Sequence, residues 1–503
     1  MSESSSSIGH GSGTQHDSKT KGQIHTEGRV GAGAWTDHRI LRRLIEAVSW
    51  VTWREVAIDD MDAVATGPVL LVANHFGGIS DAIVLMSVLP RRPRILADDQ
   101  IWKVPIVRSA MNSAGGIPVH RGNSGRTDNT DMFAAAHKAL ERGEIVLIFP
   151  EGITREEPSI GRVRSGAARI AIGARSQGVK GIRIVPVGIH YDDKAAFRSA
   201  VFVREGEPID VDAEVALLGE GGDGGEDPMA SDNNDRRATT ELTSLIEQRL
   251  RSSAPDYDDW REARALQVGA ESFLRSLEPD RPVAVSLRDR LASWLAARDI
   301  PAVTDAADIY RTELDHLGVT DSWAAEGHKL LNFKRLLMAA AWVLLLPYAV
   351  IGAVAWAIPA TLTWMISKIR MAPAVMATVM PIVVILLFGA MTGFWFWFGW
   401  NSNRLSGVVT AALVLPISFA AAALLTERAA LWFRWSTNRM RTVGGRGRQL
   451  AESRARVVAL IAEEVSKGLA GPSLQPGNIG HPEDSEISPP GATPMKARRN
   501  EGE

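Results

Sequence analysis

In this 503-residue chain the residue types best suited to proton chemistry are His75 and Asp81, six positions apart with Gly77 and Gly78 between them. Imidazole is the side chain whose ordinary pKa lies nearest neutrality, and it can act as a general base on an alcohol. Two glycines give the intervening loop a tight path, so that Asp81 could turn back onto the ring. The carboxylate would then fix the tautomer and favour the protonated form, leaving the second nitrogen to accept a proton. The same pair could equally serve as a structural hydrogen bond. Cysteine is absent, which excludes disulfides, thiolate nucleophiles and cysteine-ligated metals.

A second constellation follows in FPEG, Phe149 to Gly152. Pro150 would end a strand, and Gly152 frees the backbone behind Glu151, whose carboxylate could hold a hydroxyl or an amine; an ordinary turn would use the same residues. Arg121 and Arg155 carry forked cationic groups suited to phosphate, although either alone also fits a solvated surface. Arg164 and Arg169 could add to a basic patch beside Gly166. No GxxxxGK[ST] run is present, so a nucleotide-phosphate loop is not supported. The stretch GEGGDGGED at 219 to 227 has no strand-to-helix context and reads as an acidic flexible loop. His120, His137 and His190 have no metal-ligand spacing, and no metal is expected.

The elements around these residues alternate. PVLLVA, Pro68 to Ala73, reads as a short apolar strand, and SDAIVLMSVL can begin a helix with Ser80 as its cap. RILA reads as the next strand, followed by a break and GGIPVHR. DNTDMFAAAHKALERG has helical spacing, EIVLIFP reads as a strand, SGAARIAIGARSQG as a helix and GIRIVPVGI as a strand. Short buried strands separated by helices predict an α/β layer. Chemistry in such layers gathers where strand ends open into loops. That expectation groups four segments: 74 to 81, 116 to 121, 149 to 155, and 186 onward. Upstream, residues 35 to 52 carry Ile40, Leu41, Leu44, Ile45, Val48 and Val51 at helical spacing. This amphipathic helix would rest on a membrane interface or pack against the domain that follows.

From Leu336 to Ile366 the chain has no charged residue. One straight helix of that length would reach roughly 46 Å, beyond the roughly 30 Å hydrocarbon core, so it must tilt, kink or double back. Pro347 and Pro359 supply places for a bend. A second uncharged stretch, Pro373 to Trp400, ends in FWFWFGW, which suits a membrane interface, and a third runs from Leu405 to Thr426. Lys334 and Arg335 precede the first stretch, Lys368 and Arg370 follow it, and Arg428, Arg434 and Arg439 follow the last. A re-entrant hairpin followed by two crossings keeps these basic flanks on the cytoplasmic side, as three simple crossings would not. The other reading of the three stretches is a buried helical bundle.

Lys+Arg 56 against Asp+Glu 58 gives a net charge of -2, which offers no basic face for nucleic acid. The organisation expected is a disordered polar tail over 1–34 that does not read as a secretory signal, and an amphipathic lead-in helix and first strand over 35–59. A catalytic domain over 60–215 follows, then an acidic loop and mostly helical connector over 216–335. The membrane region occupies 336–426, and a basic helix with a disordered tail occupies 427–503.

Together NHFGGISD at 74–81, GGIPVHR at 115–121, IFPEGITR at 148–155 and IVPVGIHY at 184–191 resemble, in order and spacing, the glycerolipid acyltransferase family. The resemblance covers roughly residues 50–210 and extends into the helical APDYDDWREARAL. It implies a mixed sheet with flanking helices, here followed by the helical connector and the membrane region. It also implies His75 as general base and Asp81 as its support, with Arg121, Glu151, Gly152 and by extension Arg155 on the acceptor and its phosphate. Pro186 would shape the acyl-donor side. Two departures stand out: five residues, not the commoner four, separate His75 from Asp81, and Ile153 intervenes before Thr154. Both match a longer-loop branch similar to fungal and bacterial glycerol-phosphate acyltransferases.

The activity implied is transfer of a fatty acyl group to a hydroxyl of glycerol 3-phosphate or 1-acylglycerol 3-phosphate in phospholipid synthesis. Another lipid or glycolipid alcohol as acceptor, or a non-catalytic lipid-binding protein, are the alternatives. No bound cofactor is expected; the co-substrate would be a thioester of coenzyme A or of acyl carrier protein. The expected partners are that donor, the glycerolipid acceptor and the lipid bilayer, with the catalytic domain on the cytoplasmic face of an integral membrane protein.

Overall fold

The computed structural model describes residues 35–59, 61–103, 105–120, 129–194, 196–219, 228–279, 281–326, 333–441 and 445–468. The expected tails at 1–34 and 469–503, the acidic loop at 220–227 and Arg121 lie outside the described residues.

Helix α1 (Arg39–Thr52) leads into strand β1 (Trp53–Ile58), and β2 (Val69–Ala73) follows, every residue of it buried. Next come α2 (Ile79–Val88), β3 (Pro93–Asp98), α3 (Pro105–Ala114), β4 (Ile117–Val119), α4 (Thr130–Glu141), β5 (Ile145–Ile148) and α5 (Gly166–Ser176). Then β6 (Arg183–Tyr191), β7 (Ser199–Glu205) and the short β8 (Ile209–Asp210) complete the sheet. The order is β1-β7-β6-β2-β5-β3-β4, with β8 beside β6. Strand β2 is parallel to both neighbours, β5 and β6, while β6 and β7 are antiparallel. The fold is therefore a mixed sheet with flanking helices. Strand β7 extends it beyond the strands read from the sequence.

Alternation along the strands separates two cores. Leu71, Ala73, Val185, Val187, Ile189 and Tyr191 face α1 and α2. Leu70, Val72, Val146 and Ile184 face α4 and α5, and this second face also takes Leu242, Ile246 and Leu250. Those three belong to α7 (Pro228–Ser253), which follows α6 (Val211–Gly219). The helices that cover this sheet face thus extend past residue 215, the end expected for the catalytic domain.

A separate helical core is built by α8 (Trp260–Leu277), α9 (Val285–Ala296), α10 (Pro301–Leu317) and α11 (Asp321–Glu326). Past the apolar region, α15 (Gly445–Gly468) returns to it with Leu450, Val457, Ile461 and Val465. Buried Asp321 ties the two parts: it accepts from Ser272, Tyr310 and Arg454 on Oδ1 at 2.7, 2.9 and 2.8 Å, and from Arg275 on Oδ2 at 2.9 Å. The charged connector therefore has a hydrophobic core of its own.

Between them lie α12 (Phe333–Ala355), α13 (Ala357–Ser367) and α14 (Pro373–Arg441). α12 and α13 meet at a 68° bend around Trp356, three residues before Pro359, while Pro347 stays inside α12. The stretch Val375–Thr426 within α14 is long and apolar enough to cross a membrane. Helical geometry breaks at Asn403 and Arg404, where φ is -138° and 51°. Phe388 packs on Phe419 with ring centroids 5.7 Å apart, and Gly399 meets Gly407. Contacts paired about one centre in this way make α14 an antiparallel hairpin of two arms. At Gly352 of α12 a Cβ would lie 2.0 Å from the Ser418 carbonyl, so only glycine lets these helices touch. Many large apolar side chains here remain exposed, among them Leu344 at 77% and Leu413 at 63%.

Candidate active site

Strands β2, β5 and β6 lie side by side and parallel, so their C-terminal ends open together. His75 follows β2, Glu151 follows β5 and Tyr191 ends β6. Asn74 joins the first and third: its amide donates to the Ile189 carbonyl at 3.0 Å, and its oxygen accepts the Ile189 N–H at 2.7 Å. This fully buried side chain prolongs the β2–β6 ladder by one rung and fixes where His75 leaves the sheet.

His75 Nδ1 lies 2.9 Å from Asp81 Oδ2. Asp81 stands in the first turn of α2 and is fully buried. Its carboxylate also receives the Gly77 N–H on both oxygens, at 3.0 and 2.9 Å, and the Tyr191 hydroxyl on Oδ1 at 2.8 Å. Burial, then the neighbouring Asp81 charge, raises the Tyr191 pKa well above the usual phenol range, so Tyr191 stays a donor. A Cβ on Gly77 would stand 2.8 Å from Asp81 Oδ1 and 2.9 Å from the Tyr191 oxygen. Glycine is required by the closeness of the loop to both groups. The imidazole stacks on Phe149 at 4.3 Å and its side chain keeps 18% exposure. Among the described residues no hydrogen-bond partner engages Nε2. That nitrogen is left to take a proton from a hydroxyl while Nδ1–H remains on the carboxylate.

Glu151 is turned onto the backbone of the site. Its Oε1 accepts the His75 N–H at 3.0 Å and its Oε2 the Gly161 N–H at 2.9 Å, with the side chain 1% exposed. In this structure the carboxylate is spent on the site's own backbone, holding the His75 loop to the loop after β5. Burial raises its pKa, and the two amide donors and Arg155 act against that rise. Gly152 has φ +73°, turning the chain so that Arg164 comes against it. The Arg155 N–H donates to the His75 carbonyl at 2.9 Å, and its guanidinium approaches Glu157 at 3.2 Å and Glu151 at 3.8 Å. Lys194, pushed down in pKa chiefly by burial, donates to the Arg155 carbonyl at 2.9 Å. Trp260 at the start of α8 donates to the Glu156 carbonyl at 2.7 Å, so the loop is held from both sides.

Of the residues singled out in the sequence, His75, Asp81, Glu151 and Arg155 come together, with Gly152 beside them. Pro186 lies in mid-β6, buried and paired with Val72, and the residue of its block that reaches the dyad is Tyr191. Arg121 is outside the described residues, and β4, which precedes it, is two strands from β2's neighbour β5. Ser80 does not cap α2: the helix begins after Gly78, at φ +61°, without a side-chain cap. Gly77 takes the tight path expected of it, whereas Tyr191, Phe149 and Gly161 were missed. Tyr191 had a signal, since odd positions of β6 share the face that carries α2. The others are backbone or packing partners with no signature in residue type.

Residues 55–190 match the family model described as Acyltransferase. Glycerol-3-phosphate O-acyltransferase 2 of Saccharomyces cerevisiae is 27% identical over 209 residues, 39% of this chain and 26% of its own length. Glycerol-3-phosphate O-acyltransferase 1 of the same yeast is 23% identical over 208 residues, 40% of this chain and 26% of its own. The match therefore spans about a quarter of each yeast relative. The crystal structure of the 1-acyl-sn-glycerophosphate acyltransferase of Thermotoga maritima aligns at 17% identity and a TM-score of 0.28, covering 42% of this chain and 78% of that one.

Proposed function

We propose that the protein transfers a fatty acyl group from a thioester to a hydroxyl of glycerol 3-phosphate or 1-acylglycerol 3-phosphate, a reading supported by the match of residues 55–190 to the Acyltransferase family model and by the likeness to the two yeast glycerol-3-phosphate O-acyltransferases. The observation that carries this reading is the His75–Asp81 pair, with Nδ1 committed to the carboxylate and Nε2 unengaged among the described residues. Nε2 takes the acceptor's hydroxyl proton as the oxygen attacks the thioester carbonyl. The buried Asp81 balances the imidazolium charge. Collapse of the tetrahedral adduct breaks the C–S bond, and the imidazolium returns its proton to the departing sulfur. The donor already contains its leaving group, so no serine or cysteine nucleophile is required. A general base of this kind contributes about 10²–10⁴-fold to the rate, and positioning of the two substrates supplies much of the remainder.

Coenzyme A and acyl carrier protein thioesters are both suitable donors on this chemistry. Arg121 and Arg155 are the cations proposed for the acceptor's phosphate, and Pro186 for the donor side. We further propose that the protein is integral to the membrane, as a re-entrant α12–α13 followed by the two crossing arms of α14. The ion pair between Asp321, ahead of this region, and Arg454, beyond it, supports that topology. Two segments in contact lie on one side of a bilayer, so the number of crossings between them is even. A cytoplasmic location for that side follows from the basic flanks.

Separate incubation of the protein in membranes with glycerol 3-phosphate and 1-acylglycerol 3-phosphate, each with both donor classes, tests the proposal. The expected result is ester formation on one or both acceptors, abolished in a folded His75→Ala variant. Comparable turnover by that variant, or acylation of phosphate-free alcohols alone, would overturn it.

A further inference from the structure

A proline inside a helix lacks the N–H that the carbonyl four residues earlier would accept, and so leaves that oxygen without its intrahelical donor. Pro381 does this to Ala377 in the first arm of α14. The vacancy is filled from a helix distant in the chain: the Ser80 hydroxyl of α2 donates to the Ala377 carbonyl. Both residues are buried, Ser80 at 3% and Ala377 at 1% exposure. Ser80 immediately precedes Asp81, and its own N–H closes the loop by donating to the Gly77 carbonyl at 3.1 Å.

The contact belongs to a fitted surface. Met376, Ala377, Met380, Val384 and Phe388 recur at helical spacing and are buried, while Ile382, Ile385 and Leu386 are exposed. The second arm meets the neighbouring helix, with Phe419 5.0 Å from Trp50 of α1. α1 in turn is joined to α2 through the Ser49 and Ser87 hydroxyls. Both arms therefore bear on the two helices that carry and back Asp81, and a polar bond lies where the first arm meets α2.

We propose that Ser80 is a positioning residue: by filling the carbonyl vacancy left by Pro381, it registers the first turn of α2, and with it the His75–Asp81 pair, against the apolar hairpin. The inference rests on reading that pair as the catalytic one. Correct seating of the hairpin then becomes a condition for an aligned dyad, and activity depends on how the hairpin is held by its lipid surroundings.

A double-mutant cycle in the full chain, reconstituted in phospholipid vesicles, tests this. Ser80→Ala removes the donor, and Pro381→Ala supplies an N–H that competes for the Ala377 carbonyl. Each variant is expected to lower kcat roughly three- to tenfold, as for loss of one neutral hydrogen bond, with KM for the acceptor unchanged. The double variant is expected to be no worse than the poorer single one. Additive losses, a change in KM alone, or unchanged kcat would overturn the proposal. Hydrogen exchange at residues 78–81 gives a readout independent of the reaction: exchange is expected to rise in both variants and not further in the double. If His75→Ala keeps full activity while exchange follows that pattern, the catalytic reading has failed and the latch stands. If exchange is unaffected, the latch has failed whatever the activity shows.

Discussion

The Tyr191 hydroxyl donates to Asp81 Oδ1 across 2.8 Å, while His75 Nδ1 meets Oδ2 at 2.9 Å. One carboxylate thus serves two side-chain partners on separate oxygens, besides the Gly77 N–H. Tyr191→Phe keeps the ring and removes only the donor. A hydrogen bond to a charged group is worth about 1.5–3 kcal/mol, and kcat is expected to fall within that range while acceptor KM holds. An unchanged kcat would reduce Tyr191 to a space-filling role.

Gly77→Ala places a methyl group against both Asp81 and Tyr191. The loop must shift, separating the carboxylate from the imidazole. Activity is expected to drop by at least about tenfold, as for a displaced general base, with the melting temperature nearly unchanged. Full activity would show that the loop yields without cost to the dyad.

A pH effect on stability originates away from the site. Burial lowers His190 from 6.5 to about 4, and its Nε2 lies 2.9 Å from the Ser253 carbonyl. Between those values the unfolded chain binds the proton and the folded chain does not. Stability from this group is complete above pH 6.5, declines as pH falls, and stops declining below about 4, a loss of about 3 kcal/mol. Thermal unfolding in detergent at a series of pH values measures it. His190→Phe is expected to be less stable at neutral pH and to have a flatter slope over this window. An identical slope would assign the acid sensitivity to other groups.

Removing the Asp321 side chain leaves the Arg275 and Arg454 guanidinium groups without their shared acceptor. Breaking a buried ion pair costs about 3–5 kcal/mol. Asp321→Ala is therefore expected to loosen α15 and speed proteolysis in the helical domain, read by the fragments released. Unaltered proteolysis would show that apolar packing alone holds α15.

The alternating strands and helices from 68 to 191 were legible because their periods are strong and their turns carry glycine and proline. His75, Asp81, Glu151 and Arg155 were legible as a group because parallel strands open their loops on one edge. The use of Glu151 was not legible, since its partners are the backbone amides of His75 and Gly161, and any residue type has an amide. Ser80 misled for a related reason: a serine near a helix start resembles a cap, and its actual acceptor lies 297 positions away. The helical connector concealed its core because the closing face arrives from α15, on the far side of the apolar region.

That last arrangement bears on the order in which the molecule can be assembled. The bond from Arg454 to Asp321 spans 133 residues, and the apolar hairpin lies within that interval. During synthesis the helices around Tyr310 emerge first with one wall open, and the hairpin emerges before the helix that closes it. The wall can be completed only after the hairpin has left the ribosome. A nascent chain halted before residue 445 would therefore present an incomplete apolar core, the kind of surface on which chaperones and proteases act.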